Sequence, residues 1–399
     1  IGNDALRATT TGSNNTAVGS DCLDANTTGA SNTAVGKAAL DANTTGASNT
    51  ALGADALSAD TQGSRSVAIG TSALEVQNFT TATNTYNVAV GFNAGAAIST
   101  GTLNTAVGGL SLDATTTGSY NTAVGYAAGG AITTGESNVC IGYNAGDAIT
   151  TGNTNTGLGA GALGATTTAG NNVAVGFEAL GANTTGSENA AVGRYALDAN
   201  TTGTNNVAMG NNALGANTTA NYNIGIGDGA GDAITTGSNN TIIGYQAGTH
   251  DVNLTTGGNN VVVGQYSDVS ASDVSNEVVV GNNMTGKGAD TGFIGGTNGA
   301  YNEANSANWS TTSDERIKKN ISDNSTGLSK LNQIQVRSFE YRTPEEVTEL
   351  PKHAAVDKEG AQVGVIAQEI ETVLPDVVKE ESTGAKTVNP ENITWYLVN

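Results

Sequence analysis

Proline, cysteine, histidine and positive charge are all scarce in this sequence, and each shortage removes a class of explanation. The 399 residues include four prolines, two cysteines, two histidines and fifteen Lys and Arg, against 36 Asp and Glu. Cys22 and Cys140 each replace a small residue of a repeat, at different phases, so two buried free thiols are expected rather than a disulfide. His250 and His353 alone offer no histidine metal cluster, and no metal or cofactor is expected. The formal charge is −21, and up to residue 295 only Arg7, Lys37, Arg65, Arg194 and Lys287 are basic. A surface this acidic repels phosphate backbones, which argues against nucleic acid as a partner. No apolar run approaches the roughly 20 residues that span a bilayer. The sequence opens at Ile1 rather than Met, so any targeting signal is expected to lie upstream.

Charged residues make up 13% of the chain and aromatic residues 5%, and low charge with low hydrophobicity is ordinarily a mark of disorder. The distribution argues otherwise. Pro344, Pro351, Pro375, Pro390, Trp309 and Trp395 all follow residue 300, whereas 51 of the 55 glycines precede it. Two different physical objects are therefore expected: a repeat region over residues 1–295 and a separate module over 313–399, joined by a linker at 296–312.

The repeat dominates the first of these. The phrase NTAVG and its variants place a glycine at 2, 19, 36, 53, 70, 91, 108, 125, 142, 159, 176, 193, 210, 227, 244, 264, 281 and 295. The interval is 17 except for 21 before Gly91, 20 before Gly264 and 14 before Gly295. Longer intervals that keep the phase afterwards are what loop insertions on a stacked coil produce. At about 4.8 Å per coil, these marks span roughly 80 Å.

Each repeat position has a physical job. The residue before the mark is aliphatic (Val18, Val35, Leu52, Ile69), the one before that is usually Ala, and the third is Thr or Val. Apolar or small groups on both faces of a short strand predict one face filling its own coil and the other meeting a neighbouring chain. Four residues before the mark Asn recurs (Asn15, Asn32, Asn49, on to Asn260), as an amide ladder between coils requires. Seven before it sits a second glycine (Gly12, Gly29, Gly46), where a turn with positive φ is expected. The Thr-Thr pairs preceding that turn suit an exposed β surface.

Four after the mark most coils carry Leu (Leu23, Leu40, Leu57, Leu163, Leu180, Leu197, Leu214). Where it becomes Gly, an Ile appears three residues later: Gly95 with Ile98, Gly129 with Ile132, Gly146 with Ile149, Gly231 with Ile234. One bulky aliphatic per coil is kept, which a packed interior demands. The fold class expected is therefore mainly β: a parallel β-solenoid, or β-roll, of 17-residue repeats that assembles into an oligomer.

Three motifs invite functional readings that the repeat absorbs. Gly159-Ala160-Gly161-Ala162-Leu163-Gly164 matches a dinucleotide fingerprint, yet its first glycine is a repeat mark and no helix can follow inside one coil. Aspartates five after the mark (Asp24, Asp41, Asp113, Asp147, Asp198, Asp232) could form a calcium ladder. Only Asp24 and Asp41 fall in consecutive coils, and the scatter fits mutual repulsion on a solvated face. The Asn-Thr-Thr sequons at Asn26, Asn43, Asn183, Asn200 and Asn217 read as turn residues rather than glycan acceptors.

With SNTAVGKAAL and GSRSVAIGTSAL in view, residues 1–295 resemble the head repeats of trimeric autotransporter adhesins, a pattern that also occurs in phage fibre proteins. That resemblance implies left-handed parallel β-rolls in threefold assemblies, although the adhesin repeats are shorter than 17.

Residues 313–399 carry ordinary α+β signals. IQVRSFEYR and AQVGVIA read as strands, while Ile366, Ile370 and Val373 form one helical face ended by Pro375. ITWYLVN could start another helix. TTSDERIKKNI, LSKLNQIQVRSFEY, VGVIAQEIETVLPDVV and KTVNPENITWYLV together resemble the intramolecular chaperone domain of phage tail spikes and endosialidases, the peptidase S74 family. The family continues into a long C-terminal helix, of which this sequence reaches the start.

The resemblance implies a homotrimer whose C-terminal module nucleates assembly and then cuts itself off in a single event. It places the family's SDxRxK dyad on Ser313 and Lys318, with Asp314 and Arg316 between them. Lys318 must be neutral to take the serine proton, so its pKa must fall well below about 10.4. Residues five apart face opposite sides of a strand and lie about 140° apart on a helix. The dyad therefore needs either a turn or a lysine from a neighbouring subunit. From spacing alone, the plainer reading is a loop serine beside a solvated lysine. The expected role is a structural and receptor-binding fibre of the virion tail. Its partners would be other tail proteins and a host cell-surface glycan or protein; a bacterial surface adhesin is the alternative.

Overall fold

The structure is a computed structural model that describes residues 2–295, 300–302, 327–343, 346–349, 360–380, 384–388 and 393. The chain divides into two compact units, Ile1–Thr311 and Thr312–Asn399.

The first unit is a parallel β-solenoid. Each coil contributes one three-residue strand, from Thr16–Val18 to Gly292–Ile294. Successive strands pair in register, Ala17 with Ala34 and Val18 with Val35. They build an 18-stranded sheet that is parallel until Ala300–Asn302, which pairs antiparallel with Gly292–Ile294. Alternation along three residues buries the middle one, so Ala34, Ala51 and Ala68 face inward and their neighbours face out.

The mark glycine turns the corner after each strand. Gly36 has φ +138°, and a Cβ there would lie 2.3 Å from the carbonyl oxygen of Gly53 in the next coil. Both conformation and space exclude a side chain. Past the corner, the residues two and four after the mark also adopt left-handed backbone, as does the one five before it. Asp21, Leu23 and Ser31 show the pattern at φ +59°, +51° and +59°. A left-handed Leu carries a steric penalty of about 1–2 kcal/mol. It is tolerated because the same backbone aims the side chain into the coil, where Leu23, Leu40 and Leu180 are fully buried. In the alternative coils Gly95, Gly129, Gly146 and Gly231 take φ near +60° without that penalty. Their Ile98, Ile132, Ile149 and Ile234 fill the interior instead.

Side-chain ladders hold the coils together where there is no strand. In the outer Asn column, the Asn32 amide N–H donates to Asn15 Oδ1 at 2.9 Å and Asn32 Nδ2 donates to Gly46 O at 2.9 Å. This pattern recurs up to Glu277, whose N–H donates to Asn260 Oδ1. A threonine column runs alongside: the hydroxyl of Thr27 donates to Thr44 O at 3.0 Å, and that of Thr44 to Thr61 O at 2.9 Å.

Four positional expectations change. The glycines seven before the marks, such as Gly12, Gly29 and Gly46, do not adopt positive φ, with Gly288 the exception at +130°. Gly29 is required because a Cβ there would meet Gly46 O at 2.3 Å and Asn26 Oδ1 at 2.4 Å. The Thr-Thr pairs form bends rather than an exposed β surface, and their first hydroxyls are spent between coils. The sequon asparagines are fully buried, which removes them as glycan acceptors. They form a second ladder, with Asn43 Nδ2 donating to Asn26 Oδ1 at 3.0 Å and Asn200 Nδ2 to Asn183 Oδ1 at 2.9 Å. The aspartate column is half-buried rather than solvated, and burial raises the carboxyl pKa of Asp41, Asp113, Asp147, Asp198 and Asp232. Cys22 and Cys140 are free and buried, as expected.

The second unit is small and α+β. Helix Leu328–Leu331 precedes strand Arg337–Phe339, which pairs antiparallel with Gln362–Gly364. Helix Ala367–Val373 leads through a 3-10 turn at Pro375–Val377 into the hairpin of Val378–Glu380 with Lys386–Val388. Ile370, Leu374 and Val377 form its core, with Leu331, Ile334, Val365 and Val388 packed around them.

Candidate functional site

Among the described residues, the strand geometry leaves one long surface without a partner. Because the middle residue of every strand points inward, the residues on either side of it form two outward columns. The column just before the mark reads Val18, Val35, Leu52, Ile69, Val90 and so on to Ile294, apolar in every coil. The second column, from Thr16 to Gly292, holds Thr, Val, Ile, Ala and Gly. Neither contains a charged residue, on a chain of net charge −21. Val18, Leu52 and Met209 remain 43–46% exposed. An apolar strip running the length of the solenoid far exceeds the scattered hydrophobics of an ordinary surface.

The 20-residue interval before Gly264 brings together three groups that spacing did not suggest. His250 Nδ1 lies 3.3 Å from Asp251 Oδ1, and the Asp268 carboxylate closes the group. The buried Asp268 accepts the backbone N–H groups of His250 at 2.9 Å and Asp251 at 2.8 Å. These bonds tie the inserted loop to the next coil, and the imidazole lies 4.4 Å from the Tyr266 ring. Asp268 is thereby committed to the backbone, and burial raises its pKa. His353 lies outside the described residues. The fingerprint glycine Gly159 is a coil corner at φ +138°, with Gly176 O where a Cβ would sit, so the motif has no helix or phosphate cradle.

In the C-terminal unit, Arg337 on the strand grips Glu369 on the helix through two bonds of 2.9 and 3.1 Å. A fork of this kind fixes helix against strand more than it stabilises an exposed pair. Arg342 pairs with Glu349, holding that carboxyl down to about 2. Gln333, Ile334, Gln335, Gln368 and Thr372 border a cleft of about 390 Å³ beside the Arg337–Glu369 pair. Ser313 and Lys318 lie outside the described residues, as do Asp314 and Arg316.

Residues 313–379 match the family model described as the chaperone of endosialidase, peptidase S74. The C-terminal segment is an endosialidase-chaperone domain. No curated protein and no solved structure matches the chain. The chaperone domain thus follows a fibre-like solenoid, and the expected motif blocks LSKLNQIQVRSFEY and VGVIAQEIETVLPDVV supply its first helix, its first strand pair and the helix Ala367–Val373. Among the described residues no helix is long and apolar enough to cross a membrane.

Proposed function

We propose that this chain is the subunit of a trimeric fibre, assembled by its chaperone domain and then released from it by one cut beside Ser313. The observation that carries the reading is the uncharged aliphatic strip followed by that domain. Fully burying a Val or Leu side chain contributes about 1.5–3 kcal/mol, so covering half-exposed ones adds about 1 kcal/mol per coil. Summed along the sheet, this favours association strongly, and identical parallel copies present identical strips. The number three rests on the chaperone family.

The released fibre would be kinetically trapped, because the segment that guided assembly can no longer assist refolding. In the cut, the Ser313 hydroxyl attacks the scissile carbonyl while a neutral Lys318 takes its proton and passes it to the leaving amine. Water then hydrolyses the ester. The fibre's place is a phage tail, contacting other tail proteins and a host glycan or protein. A bacterial adhesin is the second reading, favoured by the resemblance of SNTAVGKAAL to adhesin heads.

Denaturing gels and mass spectrometry on wild type, Ser313→Ala and Lys318→Ala, expressed from the full-length gene, test the chemistry. Wild type should give two fragments, whose masses identify the cut bond, and each variant one intact chain. An uncut wild type makes the domain a retained cap, and a Lys318→Ala chain that still cuts removes lysine as the base.

A further inference from the structure

The first position after the corner glycine is exposed or half-buried, and over part of the solenoid it becomes aromatic. From the coil of Gly91 to that of Gly176 it reads Phe92, Gly109, Tyr126, Tyr143, Ala160, Phe177. Phe92 and Tyr143 are 60% and 61% exposed, Tyr126 is 52% and Phe177 44%. The intervening residues are the smallest available. A Cβ on Gly109 would touch the Tyr126 ring at 3.7 Å, so that ring leans across the neighbouring coil. Tyr126 and Tyr143 stack with centroids 5.9 Å apart and planes 12° from parallel. Four rings therefore line a strip about 24 Å long, five coil steps of about 4.8 Å each. Aromatic side chains left this open on a folded surface signal a binding face.

Charge selects the occupant. No Lys or Arg occurs between Arg65 and Arg194, while Glu75, Asp113, Glu136, Asp147, Glu178 and Glu188 lie in that stretch. A nucleic acid needs cations beside its stacking rings, and an anionic polysaccharide would be repelled. A neutral sugar chain fits both facts. Its C–H faces carry the partial positive charge that ring faces attract, and the ring interval is close to the length of one pyranose unit. The geometry points to an extended neutral glycan as the ligand of the Phe92–Phe177 strip, with Tyr126 and Tyr143 as its central stacking pair. This deepens the receptor-binding part of the proposed function and rests on it.

The test uses the full-length protein as assembled, in wild type, Tyr126→Ala, Tyr143→Ala, the double variant, and Tyr222→Ala as an exposed tyrosine in another column. Each is screened on a neutral-glycan array and titrated calorimetrically with cellohexaose, maltohexaose and an anionic oligogalacturonate, while light scattering reports assembly. Wild type and Tyr222→Ala should bind a neutral glycan equally, the double variant at least tenfold more weakly, and oligogalacturonate should not bind. Assembled protein that binds no neutral glycan, a double variant that binds like wild type, or preference for the anionic chain overturns the inference. So does protection of Tyr126 and Tyr143 from iodination in the assembly, which would make them subunit contacts. Glycan binding by a protein that scatters as a monomer would instead overturn the trimeric reading and leave this one standing.

Discussion

Gly146 and Ile149 exclude any larger pair at their positions: a Cβ added to Gly146 would lie 2.9 Å from Ile149 Cδ1 and 2.6 Å from Cys140 Sγ. In the Leu coils the same two positions hold a left-handed Leu and a buried polar residue, such as Leu180 at φ +51° and Asn183. Two solutions to one interior volume alternate along the stack. One fills it from four residues past the corner and keeps a buried polar residue at seven; the other leaves glycine at four and fills it from seven.

Exchanging one solution for the other within a coil should cost less than either half of the exchange. Leu180→Gly alone leaves a cavity and should cost about 3–5 kcal/mol. Asn183→Ile alone overpacks against Leu180 and takes the acceptor from Asn200 Nδ2, costing about 2–4 kcal/mol. With Leu163 and Thr166 in the coil before it, the double variant recreates the junction found where Leu112 and Thr115 precede Gly129 and Ile132. It should be more stable than either single variant in denaturant melts. Additive losses would show that the pairs are not alternatives.

The corner glycines should be far less replaceable than glycines elsewhere. Gly176 has φ +140° with Gly193 O 2.4 Å from its would-be Cβ, so Gly176→Ala should cost about 3 kcal/mol or more through strain and backbone displacement. Gly109 has no atom nearer than 3.7 Å, and Gly109→Ala should change stability by less than about 0.5 kcal/mol. Comparable melting of the two variants would contradict the corner assignment.

Acid should stabilise the solenoid over the range in which its half-buried aspartates titrate. Burial raises the carboxyl pKa of Asp41, Asp113 and Asp147 from the ordinary 3.8. The folded chain therefore holds those protons more tightly than the unfolded one. Their contribution is fully present below that ordinary value and is lost as pH rises through the raised ones. Melting temperature should climb as pH falls through the carboxylate range towards 3.8, and a steady decline over that interval would oppose the assignment. In the same assay at pH 7, Asp198→Asn should be neutral or slightly stabilising. Leu180→Asp buries an unpaired charge and should cost about 4 kcal/mol or more.

The solenoid was legible because its period, its aliphatic columns and its Leu-for-Ile exchange are all one-dimensional patterns. What escaped was conformation at single positions. Nothing in the letter Leu announces that Leu23 sits at φ +51°, since burial alone makes that backbone tolerable. Gly29 and Gly36 look alike in sequence, yet only Gly36 needs positive φ, while Gly29 is demanded by the coil beside it. The sequon asparagines look like turn residues alone, because their ladder partners lie 17 residues away. His250 meets Asp268 only because an insertion folds back on the next coil. The aromatic strip was available as a column of the repeat at Phe92, Tyr126, Tyr143 and Phe177. It becomes a surface only once the coils are stacked. In the C-terminal segment, IQVRSFEYR and AQVGVIA contain the observed strands Arg337–Phe339 and Gln362–Gly364.

The mass of the assembled protein tests the subunit seam most directly. Light scattering on the full chain, and again after the segment beyond residue 312 has been removed from folded material, should give three chain masses both times. The uncharged strip from Val18 to Ile294 would then hold the copies together without the chaperone domain. A stable, folded monomer after removal would contradict the assignment of that strip as the subunit seam.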